Sequence, residues 1–238
     1  MLLVEELAAR GWPAAETVRA DGWLLRHTPS LTRRRSNSAL PVGDAHGDPA
    51  LVEDFYARRG SRALVQVSPA EARTSLDQEL ARRGWSSEGP TDVLVADTHA
   101  VLALTTPGDV ALSARPDAGW VAAWAACEER PDAEQHARDV LERIEPATAY
   151  AIACADVGVG LAVCEQGWAG LFCVATAASA RRRGIARGVV HALTRWAAER
   201  GARRIYLQVE TANALGHAFY ASAGFQRSHG YHYRRAPR

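Results

Sequence analysis

The stretch "RRRGIAR", Arg181–Arg187, decides how the rest of the chain is read, because it stands between the apolar run "GLFCVAT" (Gly170–Thr176) and the helix-like "GVVHALTRWAAERG" (Gly188–Gly201). Three readings are open for consecutive arginines and a glycine at that place: a solvated charge run, a nucleic-acid contact, or a turn whose backbone amides matter more than its guanidiniums. A strand that enters a Gly-containing turn and opens a helix exposes several unpaired N–H groups where the helix dipole is positive, and such a place binds phosphate. Gly184 allows a backbone conformation or close approach that a side chain would obstruct, Ala186 leaves little bulk at the helix start, and flanking guanidiniums can pair with phosphate oxygens. The stretch is neither a Walker A loop, since no Gly-Lys-Ser/Thr follows, nor a G-x-G-x-x-G fingerprint.

Downstream, apolar residues recur at Val189, Val190, Leu193, Trp196 and Ala197, a helical spacing stopped by Gly201. "RRIYLQVE" then reads as a strand, "NALGHAFYASAG" as a helix and "HGYHYRR" as a final strand. Upstream, "ATAYAIACAD", "GVGLAVCEQ" and "WAGLFCVAT" are separated by turn residues at Asp156–Gly158 and Gln166–Gly167, which predicts an antiparallel meander. Two helices are expected before it, in "PDAGWVAAWAACEER" and "DAEQHARDVLERIE", the second starting after Pro131 with Asp132 as its cap.

The first half has strands and helices of its own. "LVEELAAR" predicts a helix ended at Gly11, "TVRADGWLLRHT" and "RRRSNSALPV" predict strands, and "RALVQVS" and "TDVLVADT" are β-branched and alternating. "DPALVEDFYARRG" and "RTSLDQELARRGW" have helical spacing with Gly stops. Between Asp97 and Arg115 a short apolar core flanked by Thr-Pro-Gly predicts a strand and connector, which places the boundary near Pro107 and divides the chain into residues 1–107 and 108–238. No fixed-period repeat or low-complexity tract interrupts this order.

Composition narrows the function classes. The 238 residues carry a net charge of +1, so affinity for a polyanion would have to come from local clustering, and a dedicated nucleic-acid binder is disfavoured. The amino terminus "MLLVEELAARGWPAAE" carries acids within its apolar pattern, and no segment approaches about 18 uncharged apolar residues, so the expectation is a cytoplasmic protein without signal peptide or membrane contact. Cys127, Cys154, Cys164 and Cys173 sit in apolar stretches without a C-x-x-C pair, which fits reduced, buried thiols better than a disulfide frame or zinc site; a Cys154–Cys164 pair across a hairpin is the lesser reading. The eight histidines form no metal-ligand cluster with Asp, Glu or Cys, and no metal is expected.

Arg181–Ala186 fits R/Q-x-x-G-x-G/A, and "VETANALGHAFYASAGF" fits N-x-x-A-x-x-x-Y-x-x-x-G-F except that Gly216 holds the usual Ala position. On these motifs, from about Arg115 to Arg238, the sequence resembles the GNAT superfamily of acyl-coenzyme A dependent N-acetyltransferases. The resemblance implies an α+β (mixed α/β) fold: a GNAT fold in the carboxy-terminal half, with a central, mostly antiparallel sheet flanked by helices, and a smaller, degenerate GNAT-like amino-terminal half. It implies acetyl-coenzyme A as co-substrate, with Val174, Ala175 and Thr176 offering main-chain groups to the pantetheine arm. Amides of Arg182, Arg183, Gly184, Ile185, Ala186 and Arg187 would go to the pyrophosphate, and Asn213 to the cofactor arm. Tyr220 matches the residue that often protonates the departing thiolate, a transfer a phenol of pKa about 10 can make without large loss of driving force. Asn213 also reads as a helix cap, and Tyr220 beside Phe219 also reads as core.

Acetyl transfer to an amine needs a neutral nucleophile and donors for the oxyanion. Relatives that acetylate protein amino termini often carry Glu five residues before the cofactor Asn, where this chain has Gln208, which cannot act as a base. Glu210, on the same strand face, is the candidate base, and a solvated carboxylate is its alternative. Glu165, His217, His229 and His232 are weaker candidates.

The opening "GWLLRHTPSLTRRRSNSALPVG" resembles that of two-part bacterial GNAT proteins, in which the first half would wall the acceptor cleft. Arg33, Arg34 and Arg35 read as a solvated strand edge or as recognition of an anionic acceptor. The expected partner is a small-molecule or peptide amine, met by a monomer or homodimer. The competing function is a non-catalytic acyl-coenzyme A binding or sensing module, suggested by Gln208.

Overall fold

A computed structural model describes residues 2–29, 33–43, 47–128, 133–153 and 157–238. Chain order is α1 (Leu2–Gly11), β1 (Glu16–Ala20), β2 (Trp23–His27), β3 (Ala39–Pro41), α2 (Pro49–Ala57), β4 (Leu64–Val67), α3 (Thr74–Arg82), β5 (Ser86–Asp97), α4 (Thr98–Leu104) and β6 (Val110–Ser113). It continues with α5 (Ala118–Glu128), α6 (Ala133–Leu141), β7 (Ala147–Ala153), β8 (Gly158–Glu165), β9 (Trp168–Thr176), α7 (Ile185–Glu199), β10 (Arg204–Glu210), α8 (Ala214–Ser222) and β11 (Gln226–Arg235). Two compact units form: Met1–Val93 with Val209–Ala212 and Arg227–Arg238, and Leu94–Gln208 with Asn213–Gln226. Pro107 lies in the connector between α4 and β6 of the second unit.

In the first unit β1, β2 and β3 are antiparallel, β4 joins β3 in parallel and β11 joins β4 antiparallel. Side chains alternate across the pleat, so one face gathers Trp23, Leu25, Ala39, Val65 and Val67 against Val52, Phe55 and Tyr56 of α2 and Leu76 and Leu80 of α3, all buried. The opposite face is buried too, with Leu24 and Leu40 against Ala9 of α1 and a row of polar groups beside them. Arg26 donates to Ser38 Oγ at 2.8 Å and to Gln66 Oε1 at 2.7 Å, Gln66 donates to Glu5 of α1 at 3.0 Å, and Glu5 lies 2.7 Å from His229 of β11. Buried charge is tolerated because each group finds a partner in this chain of hydrogen bonds.

In the second unit β7, β8 and β9 form the predicted antiparallel meander, β6 adds to β7 antiparallel, and β10 joins β9 in parallel. Helix α7 packs on this sheet through Val189, Val190, Leu193, Trp196 and Ala197, the residues its periodicity marks, all buried. Burial of each larger side chain contributes about 1.5–3 kcal/mol. The seat of α7 is made by glycines: a Cβ on Gly160 would stand 2.7 Å from Val189 Cγ1, and one on Gly158 2.4 Å from Ile185 Cγ2. Gly188 in the first turn of α7 meets the backbone of Gly108, where an added Cβ would stand 3.0 Å from the Gly108 Cα.

Three elements differ from their sequence expectation. "TVRADGWLLRHT" is a hairpin of β1 and β2, because Asp21 and Gly22 take positive φ (44° and 74°), the geometry that Asp-Gly turns favour. "THAVLAL" is the helix α4 and not a strand, capped by Asp97, whose carboxylate accepts from His99 N at 2.9 Å and Ala100 N at 3.3 Å. "RRRSNSALPV" is a strand only from Ala39, with turn and bend backbone at Arg34–Asn37, so the arginines are not a strand edge. The expected cap Asp132, the turn residue Asp156 and Cys154 of the alternative pair lie outside the described residues; Cys127, Cys164 and Cys173 are not joined in disulfides.

Asp77 of α3 accepts from Arg234 at 2.7 Å and faces His232 at 2.6 Å, and these hydrogen bonds, Arg234 first, hold its carboxyl below the usual range. A carboxyl lowered on folding stabilises above its unfolded value near 4, and that contribution is lost as pH falls through the folded value. Urea titrations should find Asp77→Asn less stable at pH 7 by about 1 kcal/mol, a figure kept low by solvent screening. The gap from the parent should close as the pH is lowered below about 4.

Candidate functional site

The predicted phosphate turn has the backbone its sequence suggests. Arg182 takes φ 61° and Gly184 φ 80° with ψ 0°, so two residues of the left-handed region lie between the end of β9 and the first turn of α7. This conformation is uncommon for a side chain such as that of Arg182 and natural for glycine. The first bond of α7 from outside its own span is donated by Gly188 N to Gly184 O at 3.1 Å. The amides of Ile185, Ala186 and Arg187 therefore precede the hydrogen-bonded ladder and point out of the positive end of a 15-residue helix. Arg181, Arg182 and Arg183 are exposed around this end.

Strand β9 supplies the second part. Between the pairs Leu161↔Phe172 and Val159↔Ala175 it carries one residue more than β8, a bulge at Cys173 and Val174 with Cys173 at φ 55°. The parallel pairing with β10 covers only Trp168–Gly170 against Arg204–Tyr206, whereas β9 runs on to Thr176. Tyr206 lies over Gly170, where a Cβ would stand 2.5 Å from its ring, and meets Phe172 edge-on at 6.2 Å. The main chain of Val174, Ala175 and Thr176 thus lies beyond the register paired with β10, while Ala175 and Thr176 stay paired with β8, and their side chains are partly exposed. Thr176 Oγ1 is buried without a hydrogen-bond partner.

Helix α8 brings two more predicted residues. Asn213 caps it, Oδ1 accepting from Gly216 N at 2.8 Å, so the side-chain NH2 is the part left to reach a ligand. Gly216, in place of the family Ala, leaves room for that cap, since a Cβ there would stand 2.7 Å from Asn213 Nδ2. Tyr220 rests against Phe219 at 4.9 Å and edge-on against Phe225 at 5.6 Å. Burial of its phenol pushes its pKa well above the ordinary value, which keeps it a proton donor through neutral and mildly alkaline pH.

Loop Arg182–Arg187, strand end Val174–Thr176, Asn213 and Tyr220 all belong to the second unit, whereas Glu210 belongs to the first. Glu210 is exposed and pairs with Arg34 at 3.1 Å, and Arg34 in turn lies over the Tyr233 ring at 5.5 Å. The guanidinium engages Oε1 of the Glu210 carboxylate. His229 faces Glu5 and His232 faces Asp77, so both are engaged in packing the first unit. Among the described residues no group of three His, Cys, Asp or Glu could hold a metal, and no helix is long and apolar enough to cross a membrane. Sequence reading missed the Cys173 bulge, which no glycine announces, and the side chain of Arg187, which reaches Leu104 O at 2.6 Å and Ser222 Oγ at 2.9 Å.

Residues 3–234 match the family described as "Probable histone acetyltransferase Rv0428c C-terminal". The chain is 26% identical over 240 residues to "Uncharacterized N-acetyltransferase YobR" of Bacillus subtilis, covering 97% of this chain and 96% of that protein. Among solved structures it superposes on a GCN5-related N-acetyltransferase from Kribbella flavida with a TM-score of 0.70 at 16% identity, over 100% of this chain and 95% of that one. A tandem GNAT protein from the clavulanic acid biosynthesis pathway gives 0.64 at 11% identity, over 99% and 88%. The structural likenesses show the fold, which is that of the GNAT proteins.

Gly184 separates backbone strain from ligand contact. A Cβ on Gly184 meets nothing within 4 Å, so Gly184→Ala should lower stability only by the left-handed penalty of about 1 kcal/mol. Gly184→Glu adds a negative charge at the helix end and should abolish calorimetric binding of coenzyme A, while its unfolding midpoint follows that of the Ala variant.

Proposed function

Because the chain belongs to the acetyltransferase family that its residues 3–234 match and has the fold of the GNAT proteins, we propose that it transfers an acetyl group from acetyl-coenzyme A to a primary amine of a small molecule or peptide, by direct attack within a ternary complex. The observation that carries this reading is the turn with φ 61° at Arg182 and 80° at Gly184, which turns the first-turn amides of α7 outward beside the bulged end of β9. A diphosphate suits that end because unpaired N–H groups and dipole act on it together, with guanidiniums around it.

The residues divide the work. The amides of Arg182–Arg187 would hold the pyrophosphate, the main chain of Val174–Thr176 the pantetheine arm, and the Asn213 NH2 a group on the same arm. Bound there, acetyl-coenzyme A supplies an activated thioester. Tyr220 keeps its proton because burial raises its pKa, so it is present as a hydroxyl to serve the leaving sulfur. Glu210, whose Oε1 accepts from Arg34, would take the ammonium proton of the acceptor. On this reading residues 108–238 carry the donor chemistry and 1–107 make up the degenerate GNAT-like part.

The Arg34–Glu210 pair, with Gln208 where relatives have Glu, favours a second reading as an acyl-coenzyme A binding module without turnover. Release of free thiol from acetyl-coenzyme A, followed across a panel of primary amines, separates the two. Amine-dependent release supports the enzyme; saturable binding with no release for any amine supports the module.

Tyr220→Phe should lower turnover about 100-fold and leave acetyl-coenzyme A affinity within about twofold, the pattern of a lost proton donor. Since the phenol titrates above its ordinary value, the wild-type rate should show no decline from Tyr220 below about pH 10. A steady-state pH profile with initial-rate fits for both proteins checks both statements.

A further inference from the structure

Arg187 sits immediately after the R-x-x-G-x-A motif, where a guanidinium invites assignment to the phosphates. Its side chain goes elsewhere. Nη1 donates to the main-chain oxygen of Leu104 at 2.6 Å and Nη2 to Ser222 Oγ at 2.9 Å. Leu104 ends α4, so this carbonyl is one that the helix cannot pair internally, and a cation is the favoured partner at a helix carboxy terminus. Ser222 ends α8 and passes the contact on, its hydroxyl donating to Phe219 O at 2.7 Å, in the turn that also contains Tyr220.

Other contacts converge on the same junction. Gly224, at φ 92° just past α8, leaves room for Leu104, whose Cδ1 would stand 3.0 Å from an added Cβ. Thr105, next in the chain, lies 3.1 Å from His191 Nδ1 of α7. Three helix ends therefore meet at one guanidinium: the first turn of α7, the last of α4 and the last of α8. Its two polar contacts use two separate nitrogens in a fixed planar fork, which a flexible ammonium does not reproduce.

We propose that Arg187 is a positioning residue: its guanidinium latches the first turn of α7 to the ends of α4 and α8, so that the outward amides of Ile185–Arg187 and the helix bearing Tyr220 keep one geometry. The binding consequence rests on the reading that these amides hold a diphosphate. The latch itself does not. Arg187 contributes its main-chain amide to the ligand and its side chain to the latch, and Ser222 acts on the phosphate turn without touching it.

The test uses the full chain, with coenzyme A and dephospho-coenzyme A as probes, and compares Ser222→Ala, Ser222→Thr, Arg187→Gln and the Ser222→Ala/Arg187→Gln double variant. Amide hydrogen exchange without ligand should speed up at both the start of α7 and the end of α8 in Ser222→Ala and Arg187→Gln. Calorimetric affinity for both probes should fall about tenfold in each of these variants, since a small misplacement weakens a preorganised site. The double variant should bind no more weakly than Arg187→Gln alone, as two members of one contact do not add, and Ser222→Thr should stay within about twofold of the parent. The proposal is overturned if Ser222→Ala leaves exchange and affinity unchanged while Arg187→Gln weakens binding, the result for a direct phosphate ligand: of the diphosphate if both probes are weakened alike, of the 3′-phosphate if coenzyme A is weakened more than dephospho-coenzyme A. Strictly additive losses overturn it as well. A parent protein that binds neither probe refutes the diphosphate reading, and the exchange data then decide the latch by themselves.

Discussion

The close approach of α7 to β8 is the constraint on which the second unit depends. Gly158 and Gly160 remove the side chains that would hold Ile185, Val189 and Leu193 away from the sheet, and Gly188 lets the backbone at Gly108 pass against the first turn. With α7 pressed down, its buried face supplies the core and its amino-terminal end is fixed relative to β9. Helix dipole and unpaired amides are properties of any helix start. What distinguishes this one is that two left-handed residues turn the chain into it and a bulged strand ends beside it.

The chemistry available there comes mostly from main chain, which explains why few side chains of the predicted site are unusual. Asn213 is half used as a cap, Arg187 is drawn to two other helix ends, and the half-buried phenol of Tyr220 is pushed above its ordinary pKa by desolvation. The candidate base differs in kind. Glu210 is exposed and paired with Arg34, which lies over Tyr233, so its carboxylate is shared with a contact that an acceptor of suitable charge could rearrange.

How much of this the amino-acid sequence disclosed depends on distance along the chain. The burial of α7, the meander β7 to β9 and the turn at Gly184 are local patterns, and the apolar spacing at Val189, Val190, Leu193 and Trp196 names the packed face directly. The Asp21-Gly22 turn is equally local, yet "TVRADGWLLRHT" reads as one strand because the strand-forming residues on either side run up to the turn. "THAVLAL" is too short for periodicity to separate helix from strand; its helix is decided by the Asp97 cap. Contacts between distant residues left no trace: Arg34 meets Glu210 across 176 positions, Arg187 meets Leu104 across 83, and the Glu5–His229 contact spans 224.

The central claim is that backbone amides at the start of α7 hold a diphosphate. Amide 15N–1H shifts of Ile185, Ala186 and Arg187, followed while coenzyme A is titrated into the full-length protein, address it most directly. The account predicts saturable downfield proton shifts at these amides and at Gly184, the largest in the spectrum and absent when pantetheine alone is added. Saturable binding that leaves these amides in place and shifts others would contradict it.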